Sequence, residues 1–170
     1  MNKYAKTPTI LQMEATECGA ASLAMIIAYH GKYVPLELMR IETAVSRDGI
    51  NAAEIMRAAK RMGLECHGYR KELEKLKELD MPCIIHWNFN HFVVLEGFKG
   101  KNVYLNDPAV GRRKLTWEEF DQGFTGVVLT FKRTDNFVRE KKQKIITPFV
   151  LERLKKYGGV FLKETFPNFV

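Results

Sequence analysis

An α+β fold, a helical lobe packed against an antiparallel sheet lobe, follows from two observations on this 170-residue sequence. Up to Gly63 the apolar residues recur at helical spacing. Beyond Gly63 they fall into short strand-like runs punctuated by Gly and Pro. Helices first and strands second predicts two lobes with a cleft between them. A third observation gives the cleft a purpose. Cys18 belongs to the helical half, whereas His91 and Asp107 belong to the strand half.

The elements follow in order. Residues 1–12 read as an extended lead-in, and Pro8 keeps Thr7 out of the helical region. Thr16, Glu17 and Cys18 mark a helix entry, with the helix running to Tyr29. Its Leu23, Ile26 and Ile27, among the small Ala20, Ala21, Ala24 and Ala28, suit a tightly packed central helix. His30-Gly31 ends it. Pro35 starts a second helix, Leu36 to Ala44, and Asp48-Gly49 is a turn. Asn51 caps a third helix, Ala52 to Met62, which Gly63 stops. Leu64 to Tyr69 reads as a strand and Leu73 to Leu79 as a short helix ended by Asp80 and Pro82. The strand-like runs are Cys83–Trp87, His91–Phe98, Asn102–Asn106, Arg113–Leu115 and Gly126–Lys132, with a short helix from a Thr116 cap to Gln122 before the last. The globular domain is expected over residues 1–135. A basic linker and a short helix, Pro148 to Tyr157, occupy 136–170.

Charge location narrows the partners. Residues 1–131 hold 17 Lys+Arg against 16 Asp+Glu, so the formal charge of +7 belongs almost wholly to the tail. That argues against a nucleic-acid groove and for a solvated or membrane-surface segment. No run of eighteen apolar residues occurs, so no span is expected within these residues. The three cysteines, Cys18, Cys66 and Cys83, cannot all pair, and none forms Cys-x-x-Cys. Neither a disulfide framework nor a metal site is signalled, and free thiols suggest a reducing compartment.

The chemistry-bearing residues are few. Cys18 opens a small-residue helix, where the N-terminus and a paired imidazolium can lower a thiol from about 8.5 to roughly 3.5–7.5. Free cysteine also serves as a small buried hydrophobe, and Cys83, inside Pro82-Cys-Ile-Ile85, and Cys66 read that way. Four histidines compete as the base. His30 sits at a helix end, where a cation suits the dipole. His67 lies on an early strand, and alternation leaves His86 on either face. His91 heads a strand, with Asp107 following sixteen residues later, and is favoured over His86. Asp107-Pro108 alone is an ordinary turn signal, and Gln12 alone a polar loop residue.

Together these residues resemble the N-terminal cysteine peptidase domain of the peptidase-containing ABC transporters that export bacteriocins and lanthipeptides. The first motif of that family reads here as Gln12-Met-Glu-Ala-Thr-Glu17-Cys18, followed by Ala21, Met25, Gly31 and Leu36. The second reads as His91-Phe-Val-Val-Leu95 and Leu105-Asn-Asp-Pro108. His30 departs from the pattern, which usually has Tyr or Phe before the Gly. The phrase around Trp87 and His91 is most similar to the lanthipeptide-exporting branch.

The resemblance implies a papain-like fold and cleavage of leader peptides after a double glycine (Gly-Gly or Gly-Ala), with no metal or cofactor in the peptidase domain. ATP would be used only by a transporter part absent from this sequence. Cys18 would be the nucleophile, His91 the base and acid, Asp107 the orienter and Gln12 an oxyanion donor. An amphipathic leader helix would lay its apolar face in a groove. Met39, Ile41, Ile55 and Met56 are candidates for that groove, and Trp87 for a further substrate contact, although plain core is the competing reading. The partners implied are a precursor peptide and the membrane and nucleotide-binding domains of an ABC transporter, at the cytoplasmic face of a bacterial cell membrane. Two other readings compete: a Cys-His-Asp acyltransferase, and a non-catalytic leader-binding module. Gly158-Gly159 is expected to be a helix stop or hinge rather than a self-cleavage target. The positions four, seven and twelve before its cut are Lys156, Arg153 and Pro148, poor occupants of an apolar groove.

Overall fold

The computed structural model describes residues 4–47 and 49–140. The expected Pro148–Tyr157 helix, the Gly158-Gly159 pair and Asp48 of the Asp48-Gly49 turn lie outside the described residues.

The helical half contains α1 (Cys18–Tyr29), α2 (Leu36–Glu42) and α3 (Ala52–Arg61). From Cys18 through Ile27 every residue of α1 is buried, as its small and aliphatic composition dictates. Gly19 is there for space. A Cβ on it would stand 2.3 Å from Ile50 Cγ2 and 2.9 Å from Ile55 Cδ1. A side chain there would push α3 and the loop before it away from the Cys18 helix. The Asn51 cap forms as a reciprocal box. Glu54 N donates to Asn51 Oδ1 at 3.0 Å, and Asn51 N donates to Glu54 Oε2 at 3.2 Å.

The second half is one antiparallel sheet of β1 (Leu64–Arg70), β2 (Cys83–Trp87), β3 (His91–Lys99), β4 (Asn102–Asp107), β5 (Gly111–Thr116) and β6 (Phe124–Arg133). The strand order is β1-β6-β2-β3-β4-β5. The short segment Leu73–Glu78 is a 3-10 helix, and α4 (Trp117–Gly123) carries the expected Thr116–Glu119 capping box. Bounds differ from the sequence expectation by no more than about two residues at any end.

Two cores flank the sheet. One lies between the helices and the face carrying Ile84, Phe92, Val94 and Leu129. The other covers the opposite face, where Ile85, Trp87, Val93 and Leu95 meet Leu76 and Phe120. This assignment corrects three candidate substrate contacts. Met39 and Ile55 are fully buried in the first core. Their side chains point inward, because α2 packs its apolar face against α1 and α3 packs its own against β1 and α1. Trp87 is buried in the second core, and its indole lies so close to Gly123 that a Cβ there would stand 2.3 Å from the ring. None of the three presents a surface to a peptide.

The lead-in is a strap over the sheet. Ala5 N donates to Glu96 O at 2.7 Å, and Gln12 N donates to Pro108 O at 2.8 Å. Beneath it Thr7 N and Thr7 Oγ1 donate to the buried Glu96 carboxylate at 2.6 and 2.8 Å. Asn106 Nδ2 reaches Thr7 Oγ1 at 2.9 Å, and Arg112 pairs with Glu96 at 3.4 Å. A buried carboxylate is tolerable only with partners of this kind. Past β6, Phe137 packs against the helical core and stacks edge-on to His30, and Tyr33 N donates to Glu140 O at 2.8 Å.

Candidate active site

Cys18 is the first residue of α1 and is buried to 6% exposure. Its position is set by the acid before it. The Glu17 side chain is fully buried, accepts from Met13 N at 2.8 Å and Glu14 N at 3.1 Å, and pairs with Arg40 Nε of α2 at 2.7 Å. The same loop contains Gln12, whose backbone is tied to Pro108. Gln12 is thus pinned from the Cys18 side through Met13 and Glu17, and from the Asp107 side through Pro108. Its side-chain oxygen is buried without a hydrogen-bonding partner among the described residues.

His91 opens β3, next to the Phe92 carbonyl that accepts from Ser22 Oγ at 3.1 Å. Ser22 stands one turn after Cys18 on α1, so this buried bond fixes the Cys18 helix against the His91 strand. His91 Nε2 lies 2.8 Å from Asp107 Oδ1. A carboxylate only accepts, so Nε2 carries the proton and Nδ1 is the nitrogen left for the thiol. Asp107 ends β4 and is itself held: Ala109 N donates to Oδ1 at 2.9 Å, and Arg113 stands 3.5 Å from Oδ2.

The electrostatics follow from these contacts. Burial of the ring opposes a charge on His91 and is the largest single influence. The hydrogen bonds to Asp107 and Cys18, with the charges of both, together outweigh it and push His91 up to about 9. Asp107 moves down: burial works against its charge, but the hydrogen bonds from His91 and Ala109 N and the positive charges of His91 and Arg113 prevail. The other two thiols are far from such help. Burial pushes both Cys66 and Cys83 up to about 12, only partly opposed by Lys60 at Cys66. They are structural residues, as their strand positions implied.

The remaining histidines separate clearly. His67 is exposed and bonds Glu65 at 2.9 Å. His30 does not serve as a helix-end cation: burial lowers it, aided by the charge of Arg139. His86 lies on the helix-facing side of β2, its ring 5.0 Å from that of Phe92. It is lowered by burial and then by the charge of His91.

A cleft of about 540 Å³ opens over Cys18. Its walls come from both lobes: Thr16 and Ile50 on the helical side, His86, Phe89 and Phe92 on the sheet side. Phe89 is 83% exposed at the tip of the β2–β3 hairpin, where Asn88 and Phe89 have φ of 48° and 61°. The structure thus brings Cys18, His91 and Asp107 together and pins the Gln12 backbone beside them. Of the groove candidates it leaves Ile41 exposed and Met56 partly buried. Sequence reading passed over Ser22, Arg40, Thr125 and the strap network. A buried Ser one turn after the thiol and an acid directly before it were the available signals. Among the described residues no helix is long and apolar enough to cross a membrane.

Residues 6–136 match the Peptidase C39 family. The chain is 41% identical over 138 residues to the microcin-H47 secretion/processing ATP-binding protein MchF of Escherichia coli, a match covering 81% of this chain and 20% of that protein. It is 39% identical over 142 residues to the colicin V secretion/processing ATP-binding protein CvaB of Escherichia coli, covering 84% and 20% respectively. These matches span about a fifth of the length of either relative. Among solved structures, a double glycine motif protease from an AMS/PCAT transporter, crystallised with the leader peptide, superposes with a TM-score of 0.75 at 62% identity, over 77% of this chain and 94% of that one. The peptidase domain of Streptococcus ComA gives 0.71 at 23% identity over 77% and 100%, a likeness of fold. The fold is the papain-like one of these peptidase domains, with its thiol on a helix and its imidazole on a facing sheet, and the chain belongs to the Peptidase C39 family.

Proposed function

We propose that this domain is a cysteine endopeptidase that removes the leader from ribosomal precursor peptides by cutting after a double glycine. One observation carries the reading. Of the three cysteines, the one at a helix start, Cys18, is the one hydrogen-bonded to a carboxylate-bound imidazole, that of His91. In the reaction His91 Nδ1 takes the Cys18 proton and the thiolate attacks the scissile carbonyl, giving a tetrahedral oxyanion and then an acyl-enzyme. The protonated His91 gives its proton to the leaving amine, and water later releases the leader. Asp107 keeps the imidazole in the tautomer that faces the thiol and stabilises its charged form. The Cys18 N–H and the Gln12 carboxamide are the donors for the oxyanion.

A cleft hemmed by Phe89, Phe92 and Ile50 favours chain without side chains next to the cut, which fits Gly-Gly or Gly-Ala. The solved relative of 62% identity acts on a double glycine motif, which supports carrying that specificity over. For the leader helix, the exposed Leu38 and Ile41 of α2 and the partly buried Met56 are the apolar residues available. In the native setting the domain would work at the cytoplasmic membrane face with the membrane and ATP-driven domains of a transporter, and the basic tail would lead toward them. The precursor, lanthipeptide or unmodified bacteriocin, is the partner.

The test is incubation with precursor peptides of both kinds, followed by mass spectrometry. Cleavage after the second Gly, near-abolished when either Gly is replaced by Leu, is the expected result. Equal cleavage of Gly-Gly and Leu-Leu substrates would refute the narrow-cleft reading. Transfer of the leader to added amines in preference to water would favour the acyltransferase.

A further inference from the structure

The cleft holds a second histidine that the reaction above does not use. His86 lines it together with Cys18. The pairing of β2 with β6 shifts register between Ile85 and Trp87, taking His86 out of the ladder. Thr125 of β6 fills in: its hydroxyl donates to the His86 carbonyl at 3.0 Å. The same oxygen lies 3.1 Å from His86 Nδ1. A hydroxyl has one proton, and it is committed to the carbonyl. Nδ1 must therefore donate to Thr125 Oγ1, which leaves Nε2 unprotonated. Among the described residues Nε2 has no hydrogen-bonding partner.

A substrate with no side chains beside the cut can be recognised only through its main chain. Its carbonyls find donors at Cys18 N and Gln12. Its N–H groups need acceptors. The Asp107 carboxylate is taken by His91, Ala109 and Arg113, and the Asn51 oxygen by its own helix cap. We infer that His86 Nε2 accepts a main-chain N–H from one of the two small residues before the cut, and so is a substrate-binding and specificity-determining residue of the cleft. This rests on the peptidase reading of the same cleft. The ring suits the task because it stays neutral: burial and the neighbouring charge of His91 both hold it below the ordinary histidine value. Phe92 packs against it, the two rings tilted with centroids 5.0 Å apart.

The experiment pairs enzyme variants with backbone-altered substrates. Three leader-derived peptides are compared: Gly-Gly before the cut, and the same peptide with either of those N–H groups replaced by an ester oxygen. Wild-type kcat/KM should fall by about 3–10-fold for one of the two esters, the worth of one neutral hydrogen bond. His86→Phe should lose a similar factor on Gly-Gly and almost nothing more on that ester. His86→Gln, whose side-chain oxygen stands where Nε2 was, should retain most of the activity. Thr125→Val, which keeps the ring but frees its tautomer, should lose about two- to threefold on the same N–H. Wild type that cuts Gly-Gly while the His86→Phe and ester factors multiply on both esters would overturn the assignment alone, as would a His86→Phe enzyme equal to wild type throughout. Wild type that cuts none of the three would overturn the peptidase reading and this inference with it.

Discussion

The two legs of the β2–β3 hairpin each carry a histidine, and the two are driven in opposite directions. His91 is raised to about 9 and His86 is lowered, although both rings are partly buried and close enough for their charges to interact. Burial acts against the charge in both. The difference is the partner: a carboxylate and a thiol for His91, a hydroxyl and an aromatic ring for His86. A histidine facing Asp can be an imidazolium beside a thiolate, whereas one facing Thr is a fixed neutral acceptor. Proximity to the Cys18 thiol alone therefore does not make a base; the second-neighbour group decides.

The largest effect should come from removing the thiol that both histidines surround. Cys18→Ala is expected to lower cleavage by roughly 10⁴-fold or more while leaving thermal unfolding near wild type, since knocking out one member of such a unit costs about as much as removing it all. Leader release by liquid chromatography measures it. Activity surviving with Cys66 and Cys83 intact would show that burial misjudged them. Next comes Asp107→Asn, which makes the partner of His91 as neutral as that of His86. We expect kcat down by about 10²–10⁴-fold. By NMR titration His91 should fall from about 9 toward its ordinary range while His86 stays below its own. A His91 that does not move would contradict the stated cause.

Gln12→Ala sharpens the same contrast on the oxyanion side. Losing one donor should reduce kcat by about 10²–10³-fold with little change in KM; a change confined to KM would deny the role. Smaller still is the effect of crowding α1. Gly19→Ala should destabilise by about 1–3 kcal/mol through the Ile50 clash, read as a lowered Tm, and Ile50→Ala should restore part of it. Unchanged Tm would mean that α3 yields freely.

Local pattern was enough for much of this. The helix of small residues opening at Cys18, the strand starts at Cys83 and His91, and the Asn51 and Thr116 caps are visible as spacing and residue type. Fold and motif order were legible because helix and strand periods differ and because chemistry-bearing residues are few. What stayed hidden depends on contacts between distant segments. Met39 and Ile41 lie on one short helix, and only the packing of α2 on α1 decides that the first is core and the second is surface. By sequence Trp87 is a candidate substrate contact or core residue, and only the space that Gly123 leaves for its ring decides for core. The face of His86 follows alternation from Ile84, but which face of β2 meets the helices is decided only by packing. Ser22 and Glu17 position the site through bonds that no spacing rule describes.

The central claim is that Cys18, alone among three cysteines, is poised for attack at a double glycine. A leader peptide ending in Gly-Gly with a thiol-reactive vinyl sulfone in place of the scissile amide tests it most directly. Intact-mass and peptide-mapping analysis should find one adduct, on Cys18, formed quickly in the wild type and far more slowly in His91→Ala. Adducts on Cys66 or Cys83, or labelling of Cys18 at the same rate without His91, would contradict the account.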